Sequence, residues 1–158
     1  MIHGLGRTPA GSLFIVMDLI AGSHLVPIDP GNSADLYGVL DAIAQAAEAM
    51  SVAHAVGVIH CDLKPANILW DVDRTVTLTD FGLARRLNDE QIAWPRGEGT
   101  PAWIAPEQVN ACWGEIGPAT DVFNLTATLY WLLSSRSPHV GQTADAILAS
   151  AVSGPFRR

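Results

Sequence analysis

Four side chains lie close enough in sequence to share one reaction. Asp62, Lys64, Asn67 and Asp80 supply a base, a cation and two hard oxygen ligands within residues 62–80. Mg²⁺ prefers one or two carboxylates, neutral oxygens and substrate phosphates to a dedicated protein cage, and Asp80 with Asn67 fits that preference. Asp62 can accept the proton of an attacking hydroxyl. Lys64, the only lysine in the chain, is a compact point charge suited to neutralising a transferring phosphoryl group.

The elements that must hold these residues follow from periodicity. SLFIVMDL (12–19) is a short apolar, β-branched run after Gly11 and reads as a buried strand. GLGRTPAGS (4–12) reads as a β-turn and AGSHLVPIDPGNS (21–33) as loop. Leu36, Leu40, Ile43, Ala47, Met50 and His54 recur at spacings of four and three, which puts them on one helix face. Ser33 serves as N-cap, Asp35 lies in the first turn and Gly57 is the stop. VIH (58–60), NILW (67–70) and TVTLTD (75–80) read as short strands, the last two joined by a DVDR turn. Residues 81–118 read as loop, and 120–135 as a helix apolar nearly all round, hence buried. A closing helix covers 142–152. There are too few strands here for a sheet covered on both sides.

Composition narrows the class. The 158 residues are long enough for one domain with a sizeable core, and they contain no internal repeat. They are 49% hydrophobic and 16% charged, with mean hydropathy +0.23, where about a quarter charged is usual. The longest uncharged run, VFNLTATLYWLLSS between Asp121 and Arg136, falls short of the roughly 20 apolar residues a membrane span needs. No basic segment precedes an apolar one at the N-terminus, so no signal peptide is expected. A net charge of −7 weighs against nucleic acid, since phosphate binding needs a basic face. Cys61 and Cys112 are too few and too far apart for a metal or disulfide framework, and two reduced thiols in a cytoplasmic protein are expected.

The reactive candidates sit in three segments, HCDLKPANIL (60–69), TDFG (79–82) and GTPAWIAPE (99–107). Together these resemble the protein kinase signature: a catalytic loop H-R-D-L-x-x-x-N, then D-F-G, then A-P-E. Lys64-Pro65 and the GTPAW before A-P-E resemble the serine/threonine branch, in its bacterial eukaryotic-like form. The resemblance covers essentially the whole chain, from residue 11 or earlier to about 150. It implies an α+β, protein-kinase-like fold with a mostly helical C-terminal lobe and a small remnant of the N-lobe sheet. Residues 1–20 would end the N-lobe and form the hinge, and 21–158 would form a truncated C-lobe.

The same resemblance implies ATP and Mg²⁺ as cofactors and a protein substrate offering a Ser or Thr hydroxyl. Asp62 would orient and deprotonate that hydroxyl, Lys64 would stabilise the phosphate, and Asn67 with Asp80 would hold the metal. Met17 matches the gatekeeper, Asp18 and Ile20 the backbone contacts to adenine, and Leu69 the residue beneath it. Asp121 matches the aspartate that holds the catalytic loop's backbone, and His60 a histidine of the hydrophobic spine under D-F-G. Thr100 is assigned to hydrogen bonding in the site, and Cys112 to packing. His3, His24, His54 and His139 have no partners at metal-ligand spacing.

Three features depart from the pattern. The glycine-rich phosphate loop and the V-A-I-K lysine with its helix glutamate are absent, and Arg136 comes too early to pair with Glu107. These 158 residues alone are therefore expected to transfer little or no phosphate. A truncated, non-catalytic binding module and a true start upstream of Met1 stay open as alternatives. Cys61 stands where many kinases have an arginine that pairs with a phosphate on the activation loop. Residues 80–107 contain no Ser or Tyr and only one Thr, Thr100, so both halves of that switch are missing together. The loop is expected to be ordered without phosphorylation. A redox role for Cys61 would need a depressed thiol pKa.

Overall fold

The structure, a computed structural model, describes residues 2–29, 32–87 and 96–153. Its N-terminal element is a hairpin in which β1 (Ile2–Arg7) pairs antiparallel with β2 (Leu13–Met17). The turn is held by Thr8 N donating to Ser12 O and Gly11 N to Thr8 O, both at 2.8 Å. Thr8 Oγ1 also accepts from Ser12 N at 3.1 Å. GLGRTPAGS is thus a turn only from Thr8 onward, and its first residues are strand. The expectation of a buried strand is corrected as well. Every residue of β2 is exposed, Leu13 by 74%, because among the described residues β1 is its only strand partner and neither face is covered.

The 23-residue helix α1 (Ser33–Ala55) ends where Gly57 adopts φ 76°, a left-handed value glycine reaches without strain. Its core face is turned by about one residue from the one the sequence suggests. Val39, Ala42, Ala46 and Met50 are buried, whereas Leu40 and Ala47 are exposed. Small side chains at 42 and 46 let α1 approach α3 (Pro118–Ser134) closely, and the bulkier Leu40 is left outside. Leu125 and Leu132 of α3 complete this core with Leu25, Leu63 and Ile68.

The helix α3 itself departs from expectation. Its buried side carries Thr120, Asp121, Asn124 and Thr128 beside Leu125, Ala127 and Leu132, while Val122 is 61% exposed. It is buried along one broad stripe, much of it polar, rather than all round. α4 (Ala144–Val152) follows, with Thr143 Oγ1 accepting from Ala146 N at 3.2 Å as its N-cap.

Short strands between the helices shape the loops that matter. β3 (Gly22–His24), β5 (Ile68–Asp71) and β6 (Val76–Leu78) form a three-stranded antiparallel sheet in the order β3-β5-β6. β4 (Val58–Ile59) pairs with β7 (Arg85–Arg86). β1, β3 and β7 were not legible as strands: β3 falls in a stretch read as loop, and β7 is two arginines. The four-residue helix α2 (Pro106–Val109) interrupts the expected 81–118 loop. No helix among the described residues is long and apolar enough to cross a membrane.

Candidate active site

The loop between β4 and β5 is built around a backbone bend. Cys61 adopts φ 67°, a conformation that costs a residue with a Cβ of order 1–3 kcal/mol and persists only when its surroundings enforce it. Asp121, 1% exposed, does much of the enforcing from α3. Its Oδ2 accepts from His60 N at 2.9 Å, its Oδ1 from Cys61 N at 2.8 Å, and Oδ2 also meets His54 Nε2 at 2.8 Å. Gln108 of α2 completes the bend by donating Nε2 to Cys61 O at 2.7 Å. Neither His54 nor Gln108 was singled out for this role from sequence, because nothing local marks a partner so far along the chain.

The bend places Asp62 at the centre of a hydrogen-bonded group. Lys64 Nζ donates to Asp62 Oδ2 and to Thr100 Oγ1, both at 2.6 Å. Thr100 N donates to Asp62 Oδ1 at 2.8 Å. Asn67, in the 3-10 turn Pro65–Asn67, donates Nδ2 to Asp62 O at 2.9 Å. Asp62 is only 8% exposed, so its carboxylate is fixed by a cation and an amide rather than by water. Thr100 is thus a hydrogen-bonder within the site.

Thr79 N donates to Asn67 O at 2.9 Å, which extends the pairing of β5 with β6 and sets Asp80 alongside Asn67. Asp80 is exposed and left-handed at φ 59°. Among the described residues its carboxylate has no hydrogen-bond or ion-pair partner. With the Asn67 amide nitrogen occupied by Asp62 O, the Asn67 Oδ1 remains for a ligand. One free carboxylate beside one amide oxygen fits a Mg²⁺ that takes its other ligands from phosphate and water. Among the described residues no group of three or more His, Cys, Asp or Glu is arranged to cage a metal without them.

His60 is fully buried with both ring nitrogens engaged. Nδ1 accepts from Asp62 N at 3.3 Å, so Nε2 carries the proton and donates to Thr79 O at 3.0 Å. Its ring lies 4.5 Å from Phe81 of the D-F-G segment. The residue supports the loop and is not a spare base.

The remaining sequence candidates lie further out. Leu69 sits in the middle strand of the three-stranded sheet, opposite His24 on one side and Thr77 on the other. Met17 is 52% exposed and pairs with Ile2, and Asp18 pairs with His3 at 2.5 Å. Ile20 follows in the connection to β3, where Gly22 N donates to its carbonyl at 3.0 Å. Met17, Asp18 and Ile20 thus lie on the hairpin side of the chain, which meets the site through β3 and Leu69.

Two thiols complete the picture. Burial, reinforced by the Asp121 carboxylate, pushes the Cys61 thiol up to about 12, the opposite of what a redox-active cysteine needs. Cys112, expected to pack, is exposed instead: it lies in the 3-10 turn Ala111–Trp113, which is a surface feature. Arg85 of β7 pairs with Glu98 at 2.7 Å, joining the two described arms of the segment that carries no phosphorylatable residue besides Thr100. Glu107 Oε1 accepts from Thr120 Oγ1 at 2.7 Å, so this glutamate is tied to the start of α3.

Residues 8–156 match the family described as protein kinase domain. The chain is 32% identical over 156 residues to a protein named serine/threonine-protein kinase PknA from Mycobacterium tuberculosis, covering 98% of this chain and 35% of that protein. It is 33% identical over 156 residues to serine/threonine-protein kinase PknB from Mycolicibacterium smegmatis, covering 91% and 24%. To serine/threonine-protein kinase STE20 from Debaryomyces hansenii it is 31% identical over 134 residues, covering 84% and 12%. The chain spans about a third or less of the length of these relatives.

Proposed function

The chain belongs to the protein kinase domain family, and from that premise we propose that it supplies the catalytic lobe of a serine/threonine protein kinase. The observation that carries the reading is the group in which Asp62 is held by Lys64, Thr100 and Asn67. A carboxylate fixed at this angle accepts the proton of a substrate Ser or Thr hydroxyl as that oxygen attacks the ATP γ-phosphorus. Lys64 stands within reach of the same carboxylate and stabilises the charge carried by the moving phosphoryl group. Asn67 and Asp80 would hold Mg²⁺, which when bound neutralises charge on the nucleotide phosphates. Residues 1–20 would end the smaller lobe and form the hinge, with Met17, Asp18, Ile20 and Leu69 facing adenine. Residues 21–158 would form the larger lobe. Two free thiols fit a cytoplasmic location.

A second reading has its own observation. The hairpin exposes Leu13, Phe14, Ile15, Val16 and Met17 together, a surface suited to contact with another protein. On that reading the chain binds and does not react. Because residues 1–158 alone are expected to transfer little, the two are separated with the chain joined to a lysine-bearing small lobe, by Mg²⁺-dependent transfer of labelled γ-phosphate from ATP to a mixed protein substrate. The kinase reading expects incorporation at Ser or Thr that falls at least 100-fold in Asp62→Asn, since a general base typically contributes about 10²–10⁴-fold. Binding of an ATP analogue with no transfer above the Asp62→Asn background refutes it in favour of the module.

A further inference from the structure

We infer that Gln108 is a positioning residue for this reaction, holding the catalytic loop and the return arm of the activation segment in one register without a phosphate. The inference rests on the kinase reading for its catalytic consequence, and on hydrogen-bond geometry for the rest. Gln108 is 2% exposed and all four of its side-chain hydrogen-bonding positions are used. Nε2 donates to Cys61 O at 2.7 Å and to Glu98 O at 3.3 Å. Oε1 accepts from Ala105 N at 2.9 Å and from Asn124 Nδ2 at 3.1 Å. Two carbonyls on one side and two donors on the other fix which end of the amide is which.

These partners belong to four different pieces of the site. The Cys61 carbonyl lies in the same peptide plane as the Asp62 N–H. Gln108 grips one side of that plane and His60 Nδ1 the other, so the plane cannot rotate and Asp62 cannot swing. Glu98 O lies two residues before Thr100, whose N–H and hydroxyl bind Asp62 and Lys64. The Gln108 carbonyl adds a further bond, accepting from Gly97 N at 2.7 Å. Gly99, at φ 129°, permits the approach: a Cβ there would come within 3.3 Å of Gln108 Nε2. Asn124 anchors the amide to α3. The Arg85–Glu98 pair closes the same arm from outside, but Glu98 is nearly half exposed, and such pairs hold weakly. The buried amide is the tighter fastening.

The test uses Gln108→Leu and Gln108→Glu, with hydrogen exchange read in the purified protein and phosphoryl transfer in the same chain joined to a lysine-bearing small lobe. Leucine removes all four bonds at similar volume. Glutamate keeps the acceptor side and loses both donations, so it separates the Cys61 and Glu98 carbonyls from the rest. If leucine prevents folding, glutamate carries the test. We expect amide hydrogen exchange at 60–63 and at 97–101 to accelerate together in either variant while 144–152 is unchanged. In phosphoryl transfer we expect kcat to fall about 10–100-fold with KM for ATP within about twofold, the signature of lost orientation rather than lost binding. Exchange that accelerates in only one of the two segments, or unchanged kcat in a folded variant, overturns the inference. If the parent joined to that small lobe transfers no phosphate, the kinase reading has failed, and the exchange measurement alone decides the role of Gln108.

Discussion

Replacing Asp121 by asparagine tests the physical account of the loop most directly. The side chain is 1% exposed and accepts three hydrogen bonds, from His60 N, Cys61 N and His54 Nε2, at 2.8–2.9 Å. Asparagine has nearly the same shape but one acceptor oxygen in place of two. Whichever way its amide lies, at least one of the two backbone N–H groups faces another donor. A buried donor left unpaired costs about 1–3 kcal/mol, and each bond to a charged acceptor is worth about 1.5–3 kcal/mol. The expected loss is therefore about 3 kcal/mol. In a chain of this size that lowers Tm by roughly 6–12 °C. Thermal unfolding followed by circular dichroism reads the loss, and hydrogen exchange at His60 and Cys61 reads its location. A fall below about 2 °C, or exchange at both amides as slow as in the parent, refutes the view that Asp121 enforces the bend.

Two further outcomes follow from side-chain environment. At pH 8 a thiol reagent should modify Cys112 in the native protein and reach Cys61 only after denaturant is added, because burial holds the Cys61 thiol protonated; two fast-reacting native thiols contradict this. Burial also lowers the His139 pKa below its ordinary 6.5, so the folded state prefers the neutral ring and stability drains away as pH falls below 6.5. His139→Gln should lose less stability than the parent between pH 7.5 and 5, and parallel losses in the two proteins count against the assignment.

The candidate reacting groups were legible because they are close in sequence and chemically distinctive. Asp62, Lys64, Asn67 and Asp80 can be found by residue type and spacing, and Thr100 through its place before A-P-E. What fixes them was legible only in part, Asp121 through the resemblance and Gln108 not at all. Gln108 reaches Cys61 across 47 residues, and a lone Gln in a short helix carries no local mark of that contact. Existence of the helices was readable and their faces less so. On α1, bulky Leu40 suggested a core that small Ala42 and Ala46 actually form, because close helix packing rewards what is absent from a side chain. β2 misled in the opposite sense: an apolar β-branched run signals a strand whether or not anything covers it.

The distance between the Cys61 bend and its anchors also sets an order of events during synthesis. A growing chain that has just passed Asp80 already contains Asp62, Lys64 and Asn67, yet neither Gln108 nor Asp121 exists to hold the bend. Closing loops of 47 and 60 residues is a late, entropically costly step, and the left-handed backbone has no reason to persist before it. The candidate reactive residues are therefore translated well before they can be assembled. On the kinase reading, a nascent chain on the ribosome would transfer no phosphate until α3 has emerged and docked.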